Sequence, residues 1–185
     1  MLNVQHVSMA ELEAGMDHIR QSPKDNGTLM MIVRRPQENE RQVIDNGELD
    51  LQQGLVGDSW RARESSHTSD GSADIDTQIT IMNARTIALL AQGEERWSLA
   101  GDQLYIDMDL SIDNLPPGTR LALGLAVIEV SAVPHTGCKK FSSRFGVEAM
   151  KFVNSPEGKQ LHLRGINAKI IQAGAIQVGD VVRKI

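Results

Sequence analysis

Between residues 121 and 154 the sequence changes its period once, and that change limits what the chain can fold into. LALGLAVIEVSAV (121–133) is an apolar run with the length and composition of a buried strand. Pro134 stops it and Gly137 loosens the backbone. From Lys139 onward, Phe141, Phe145, Ala149 and Phe152 recur at spacings of four, four and three, which is one face of a helix. Gly146 either kinks that helix or splits it into two. All three phenylalanines of the chain lie on this face, and aromatic residues are only 3% of the sequence. The core is therefore expected to consist of Leu, Ile, Val, Ala and Met, with this helix as its main aromatic packing site.

Cys138, the single cysteine, falls at the corner where strand hands over to helix, and His135 precedes it by three residues. A position at or just before a helix N-terminus faces unpaired backbone N–H groups and the positive end of the dipole. Lys139, Lys140 and Arg144 add positive charge nearby, and such surroundings favour a thiolate. A lone cysteine is otherwise a small buried hydrophobe. Here its neighbours are proline, histidine, glycine and two lysines, so it does not sit in an apolar run.

At 185 residues, with 41% hydrophobic and 23% charged residues, the chain is expected to form one domain with a sizeable core. A net charge of -5 argues against general nucleic-acid binding. One cysteine excludes an internal disulfide framework, MLNVQHVSMAELEAG has no signal-peptide character, and no apolar run approaches the roughly 20 residues of a membrane helix. A reducing, cytoplasmic setting without membrane attachment is the expectation.

Ser8 and Glu11 form a capping box for a helix over about 9–20, with Met9, Leu12, Met16 and Ile19 as its apolar stripe and Pro23 beyond its end. TLMMIVRRP (28–36) and ERQVIDNGELD (40–50) read as a hairpin; Arg34 and Arg35 either face an anion or, as is usual for paired arginines at a strand end, stay solvated. Residues 61–76 form a polar loop with no apolar period, either disordered or a lid over a site, and His67 within it is a weak candidate ligand. TQITIM (77–82) predicts a strand, Asn83 the cap of a short helix, and Gly93 its end. DQLYIDMDLS (102–111) predicts another strand, NLPPGTRL and SPEGKQ turns, and LHLRGI and AKIIQAG two short strands before AIQVGDVVRKI. Strands with short connections outnumber helices, and neither βαβ alternation nor GxGxxG is present. The expected class is mainly β, a barrel with a few short helices.

The order and spacing from Gly54 to the end, with the NLPPG turn, the LALGLAVIEV run, PHTGCKKFSSRFG and the closing GDVV, resemble the MOSC domain, named for the C-terminal domain of molybdenum cofactor sulfurase. On that resemblance the domain core spans about 54–185, with 1–53 adding a helix and a hairpin. The resemblance implies a barrel whose cysteine either ligates the molybdenum of a molybdopterin cofactor or accepts sulfur from a pyridoxal-phosphate-dependent cysteine desulfurase. It makes Cys138 the metal ligand or sulfur carrier and His135 a second catalytic candidate, orienting the cofactor or a proton donor. Lys139, Lys140, Arg144 and Arg164 become candidates to hold the cofactor's phosphate or pterin. Asn114 is a further cofactor-binding candidate or, with Asp113, shapes the turn. Larger relatives such as amidoxime-reducing components carry an additional N-terminal domain, and this chain shows neither a desulfurase domain nor iron–sulfur cysteine spacing. Sulfur or electrons are then expected from a separate desulfurase or electron-transfer protein.

Three functions follow as expectations: a molybdenum-dependent reductase of N-hydroxylated compounds, a sulfur-delivery module, and a binding module with a structural thiol. A zinc site from His135, Cys138 and His162 is a fourth, weaker in that HxxC is common and no fourth ligand is evident.

Overall fold

A computed structural model describes residues 6–65 and 68–185. Strands β1 (Gly27–Arg34), β2 (Gln42–Ile44), β3 (Asn46–Asp50), β4 (Gly54–Leu55), β5 (Ile79–Asn83) and β6 (Leu104–Asp107) precede the cysteine corner together with β7 (Arg120–Leu123) and β8 (Ala126–Val130). Strands β9 (Ile166–Gln172), β10 (Gly174–Gln177) and β11 (Val181–Lys184) follow it. The helices are α1 (Met9–Arg20), α2 (Ala84–Ala91), α3 (Lys139–Phe145), α4 (Val147–Asn154) and α5 (Pro156–Gln160).

Seven strands close on themselves in the order β1-β11-β7-β8-β9-β5-β6, with β6 pairing back to β1. Closure leaves the barrel no free edge. All of these pairings are antiparallel except β5 with β6. On the edge of β1 that meets β11 at Gly27 and Thr28, residues Ile32, Val33 and Arg34 pair instead with β2, and β10-β3-β4 form a separate small sheet.

Two apolar layers result. Leu29, Ile32, Ile81, Leu104, Ile106, Leu123, Ile128 and Ile170 fill the barrel. Met31, Val33, Met82 and Tyr105 point outward from the same strands and pack under the helices with Leu12, Ile87, Phe141, Phe145 and Phe152. Period two would put Leu29 and Met31 on one face; the register shift between them in the β1–β6 pairing is a bulge that moves Ile32 inward instead.

Local signals behave as the sequence suggests where they are short-range. Ser8 caps α1 with the reciprocal Glu11 contact, and Gly146, at φ 95°, splits the phenylalanine helix into α3 and α4. Phe141, Phe145 and Phe152 are all buried.

Several expectations need correction. The 121–133 run is a hairpin: β7 turns at Gly124–Leu125 into β8, and Leu125 is 70% exposed. Gly124 has φ 54°, and a Cβ there would stand 2.4 Å from the Ala175 carbonyl oxygen, so glycine permits both the turn and the close approach of β10. Consequently β8 ends at Val130, and residues 131–138 reach the cysteine as a loop. SPEGKQ is helical, with Ser155 Oγ accepting from Gly158 N; LHLRG is the turn after that helix, with His162 at φ 49°, and only the second predicted short strand forms, as β9. The strand predicted over 102–111 is limited to Leu104–Asp107. Segment 40–50 divides between β2, which completes the hairpin with β1, and β3, which pairs with β10. Helix α2 is closed by Gln92 in the left-handed region at φ 63°, one residue before Gly93.

Candidate functional site

Cys138 occupies the N-cap position of α3 with extended backbone, and its side chain is exposed. The loop leading to it is tied down by three side chains. Asn154, at the end of α4, accepts from Gly137 N at 3.0 Å and donates to Gly137 O at 3.2 Å. Asn167, on β9, donates to Val133 O at 3.0 Å. His135 Nε2 stands 2.7 Å from Asp102 Oδ1. A carboxylate only accepts, so Nε2 carries the proton and Nδ1 is the bare acceptor. Gly165 makes room for this ring: its φ is 116°, and a Cβ there would lie 3.1 Å from His135 Cδ2 and 2.2 Å from the Ile81 carbonyl oxygen.

Asp102 has no exposed side-chain surface, and its second oxygen accepts from Arg164 Nη1 at 2.6 Å. Arg164 also donates to Ala100 O at 3.0 Å and lies 4.9 Å from the Phe141 ring centroid, which joins this buried unit to α3. Burial first, then the nearby Arg164 charge, push the His135 imidazole below its ordinary range despite Asp102. Burial opposes ionisation of Asp102, but Arg164 and His135 together hold its carboxyl below the usual range. At neutral pH the unit is therefore a carboxylate between a guanidinium and a neutral imidazole.

In front of Cys138 is a cleft of about 620 Å³ lined by Arg35, Arg41, Arg63, Arg144, Lys140 and His135, with the thiol at its wall. Arg35 is buried and held by Asp58 through Nε–Oδ2 and Nη2–Oδ1 contacts of 2.9 Å each. It is not the solvated strand-end arginine that pairing with Arg34 suggested. The other three hydrogen-bond only neutral groups among the described residues, Arg41 the Glu40 carbonyl, Arg63 the Ser59 hydroxyl and Arg144 the Leu99 carbonyl, although the Asp58 charge reaches Arg41 and Arg63 and that of Glu38 reaches Arg63. Arg41 Nε is buried without a partner. Arg41 Nη2 and Arg144 Nη1 converge over Gly101, 3.6 and 3.9 Å from where its Cβ would stand. Burial, followed by the charges of Arg144 and Arg35, lowers the Arg41 pKa; burial, followed by Arg35, lowers that of Arg63. Crowded, part-desolvated like charges are an electrostatic demand for an anion.

The structure thus brings Cys138, His135, Lys140 and Arg144 to one cleft. Lys140 is exposed and paired with Glu38 at 2.7 Å. Lys139 is exposed and does not line the cleft; Arg164 lies behind it, bound to Asp102. Asn114 does not line it either: its amide donates to Lys24 O and Asp109 O, holding the turn before β7. Loop residues Arg63, Glu64, Ser65, Ala73 and Asp74 wall the cleft, while His67 lies outside the described residues. Among the described residues no three His, Cys, Asp or Glu groups are arranged to hold a metal ion, so the zinc site from His135, Cys138 and His162 does not form. His135 Nε2 is bound to Asp102 and His162 Nδ1 to the Leu110 carbonyl. Nor is any described helix long and apolar enough to cross a membrane.

Sequence reasoning passed over Arg41, Arg63 and Asp102. The available signal was Asp102–Gln103, two polar residues directly before an apolar strand, both with no exposure. Gln103 Oε1 accepts from Thr80 N at 2.7 Å, which fixes the segment that carries Asp102 into β6 against β5.

A closed β-barrel with a cysteine loop pinned beside an arginine-lined cleft describes a barrel protein with one exposed thiol next to a cluster of cationic side chains. The MOSC domain model matches residues 73–183, and the chain belongs to the MOSC domain family. Among solved structures it is similar to YuaD from Bacillus subtilis, at 15% identity over 84% of this chain and 93% of that one, with a TM-score of 0.59. It is also similar to YiiM from Escherichia coli, at 17% identity over 85% and 69% of the two chains, TM-score 0.55. YiiM from Geobacillus stearothermophilus follows at 15% identity over 86% and 75%, TM-score 0.52. At these identities the likeness concerns the fold. A search of curated proteins finds no significant match.

Proposed function

We propose that the arginine cleft holds the phosphorylated end of a molybdopterin-type cofactor and that Cys138 ligates its metal, in a reductase of small N-hydroxylated compounds that takes its electrons from a separate protein. The carrying observation is that Arg41, Arg63 and Arg144 face a cleft of about 620 Å³ with no carboxylate partner among the described residues, beside an exposed thiol. The donor set suits such a group: guanidiniums match phosphate oxygens, the orphan Arg41 Nε–H adds a donor, and an exposed cysteine, as thiolate, is a metal ligand. When bound, the cofactor supplies the two-electron redox chemistry. The chain's own residues position and protonate: Arg41, Arg63, Arg144 and Lys140 bind the anion, Asn154 and Asn167 hold the cysteine loop, and His135 Nδ1 accepts or returns a proton at the cleft.

The exposed thiol also favours a second reading, in which Cys138 carries a persulfide received from a separate cysteine desulfurase. Elemental analysis separates the two. Molybdenum in the protein from a cofactor-competent host, lost in Cys138→Ser, supports ligation. A mass gain of one sulfur on desulfurase treatment, without metal, supports the carrier. Absence of molybdenum from the wild type overturns the reductase reading.

A further inference from the structure

His135 also lines a second cavity, of about 550 Å³. That volume is within the range of small-molecule sites. Its walls are largely apolar, including Ile112, Val133, Val153 and Ile166, and none of its described lining residues is a carboxylate.

Three acceptor atoms are set into these walls, beside one buried donor without a partner, Arg164 Nε. His135 Nδ1 is bare because Nε2–H is committed to Asp102. His162 Nδ1 donates to the Leu110 carbonyl at 2.7 Å, and in the tautomer that this bond selects Nε2 is the acceptor. Asn167 is 4% exposed; its Nδ2 donates to Val133 O, and its Oδ1 accepts from none of the described residues. That oxygen is left to accept from a guest or from solvent. Charge narrows the guest further. A cation would meet the Lys159 ammonium with no carboxylate in the lining to offset it, while an anion would face three acceptor atoms and, in Arg164, a guanidinium already paired with Asp102.

We propose that this cavity is a binding site for an uncharged, largely apolar small molecule bearing N–H donors, separate in ligand class from the arginine cleft. Apart from His135, which also lines the arginine cleft, the site stands on its own acceptors and walls, whatever the cleft holds.

The test is amide NMR on the full chain with benzamide as probe and benzoate as its charged counterpart. Benzamide is expected to shift the backbone signals of Thr136, Gly165 and Ile166 saturably, while benzoate at the same concentration leaves them in place. Ala132→Trp, at an exposed position on the rim, weakens benzamide binding at least tenfold; Ile112→Arg, which puts a charge into the apolar wall at a 40% exposed site, does the same and serves if the first variant does not fold. The proposal is overturned if benzamide produces no saturable shift at those three residues, if neither folded variant weakens it, or if benzoate competes equally. Molybdenum content does not enter, so failure here is distinct from failure of the cofactor reading.

Discussion

His135 Nε2 lies 2.7 Å from a carboxylate oxygen of Asp102, which has no exposed side-chain surface and stands just before β6, 33 residues away in sequence. Through its other oxygen Asp102 grips Arg164, and Arg164 stacks on Phe141 of α3. The histidine of the cysteine loop and the helix that follows the cysteine are thus referred to the same buried carboxylate. The loop between them is held at both sides of His135, by Asn167 at Val133 and by Asn154 at Gly137.

Protonating His135 opposes folding. Its native pKa is lowered, chiefly by burial and then by Arg164, so the unfolded chain binds this proton more readily. Stability contributed by the neutral ring is full above the unfolded value of roughly 6.5 and declines as pH falls through that value toward the native one. Urea midpoints between pH 8 and 5 are expected to fall for the wild type, with a shallower slope in His135→Gln, which keeps an N–H for Asp102 and cannot titrate. Equal slopes would remove His135 as the source.

Asp102→Asn leaves Arg164 buried beside a neutral amide. Breaking a buried pair from one side costs on the order of 3–5 kcal/mol. The expected result is a matching loss in the denaturant-derived unfolding free energy; a loss below about 1 kcal/mol would mean that Arg164 finds water instead.

The cation cleft should answer to simple anions. Millimolar phosphate is expected to raise the melting temperature of the wild type, with an effect of about 2.7 kcal/mol at a hundredfold excess over Kd. Arg41→Gln reduces this response and raises the melting temperature without phosphate, because it relieves repulsion among Arg41, Arg144 and Arg35. Thermal scans with and without phosphate at constant ionic strength check both effects, since added salt alone screens the cluster.

How much of this was legible depended on range. The capping box of Ser8 and Glu11 and the face shared by Phe141, Phe145 and Phe152 are set by neighbours within about one helical turn, and both appear as read. The β7–β8 hairpin was missed because β7 and β8 both bury apolar residues, so the run looked continuous and only Gly124 marked the turn. Arg35, Arg41 and Arg63 meet because β1, its hairpin loop and the segment before β5 fold onto one mouth of the barrel. Local patterning carries no trace of that meeting. Asp102 was illegible for the same reason: its partners lie 33 and 62 residues away.

Asn154→Ala removes both hydrogen bonds to Gly137, the residue before Cys138. Each is worth about 1 kcal/mol, and the orphaned backbone groups add to the loss. Hydrogen exchange at Gly137 N is expected to accelerate several-fold while exchange in β8 and β9 is unchanged. Uniform acceleration would indicate a global effect in place of a loosened cysteine loop.

Gly146→Ala tests whether the break between α3 and α4 is required. At φ 95° and ψ 164° the backbone is in a region that side chains avoid, and a Cβ would stand 2.8 Å from His6 Nδ1. Strain of this kind costs roughly 1–3 kcal/mol. The chain can escape it only by continuing one helix through residue 146, which would swing Phe152 away from the face it shares with Phe141 and Phe145 and draw Asn154 off Gly137. The expected outcome is a destabilised protein whose Gly137 amide exchanges faster than in wild type, as in Asn154→Ala. Full stability with unchanged exchange would show that the angle at residue 146 does not position the cysteine.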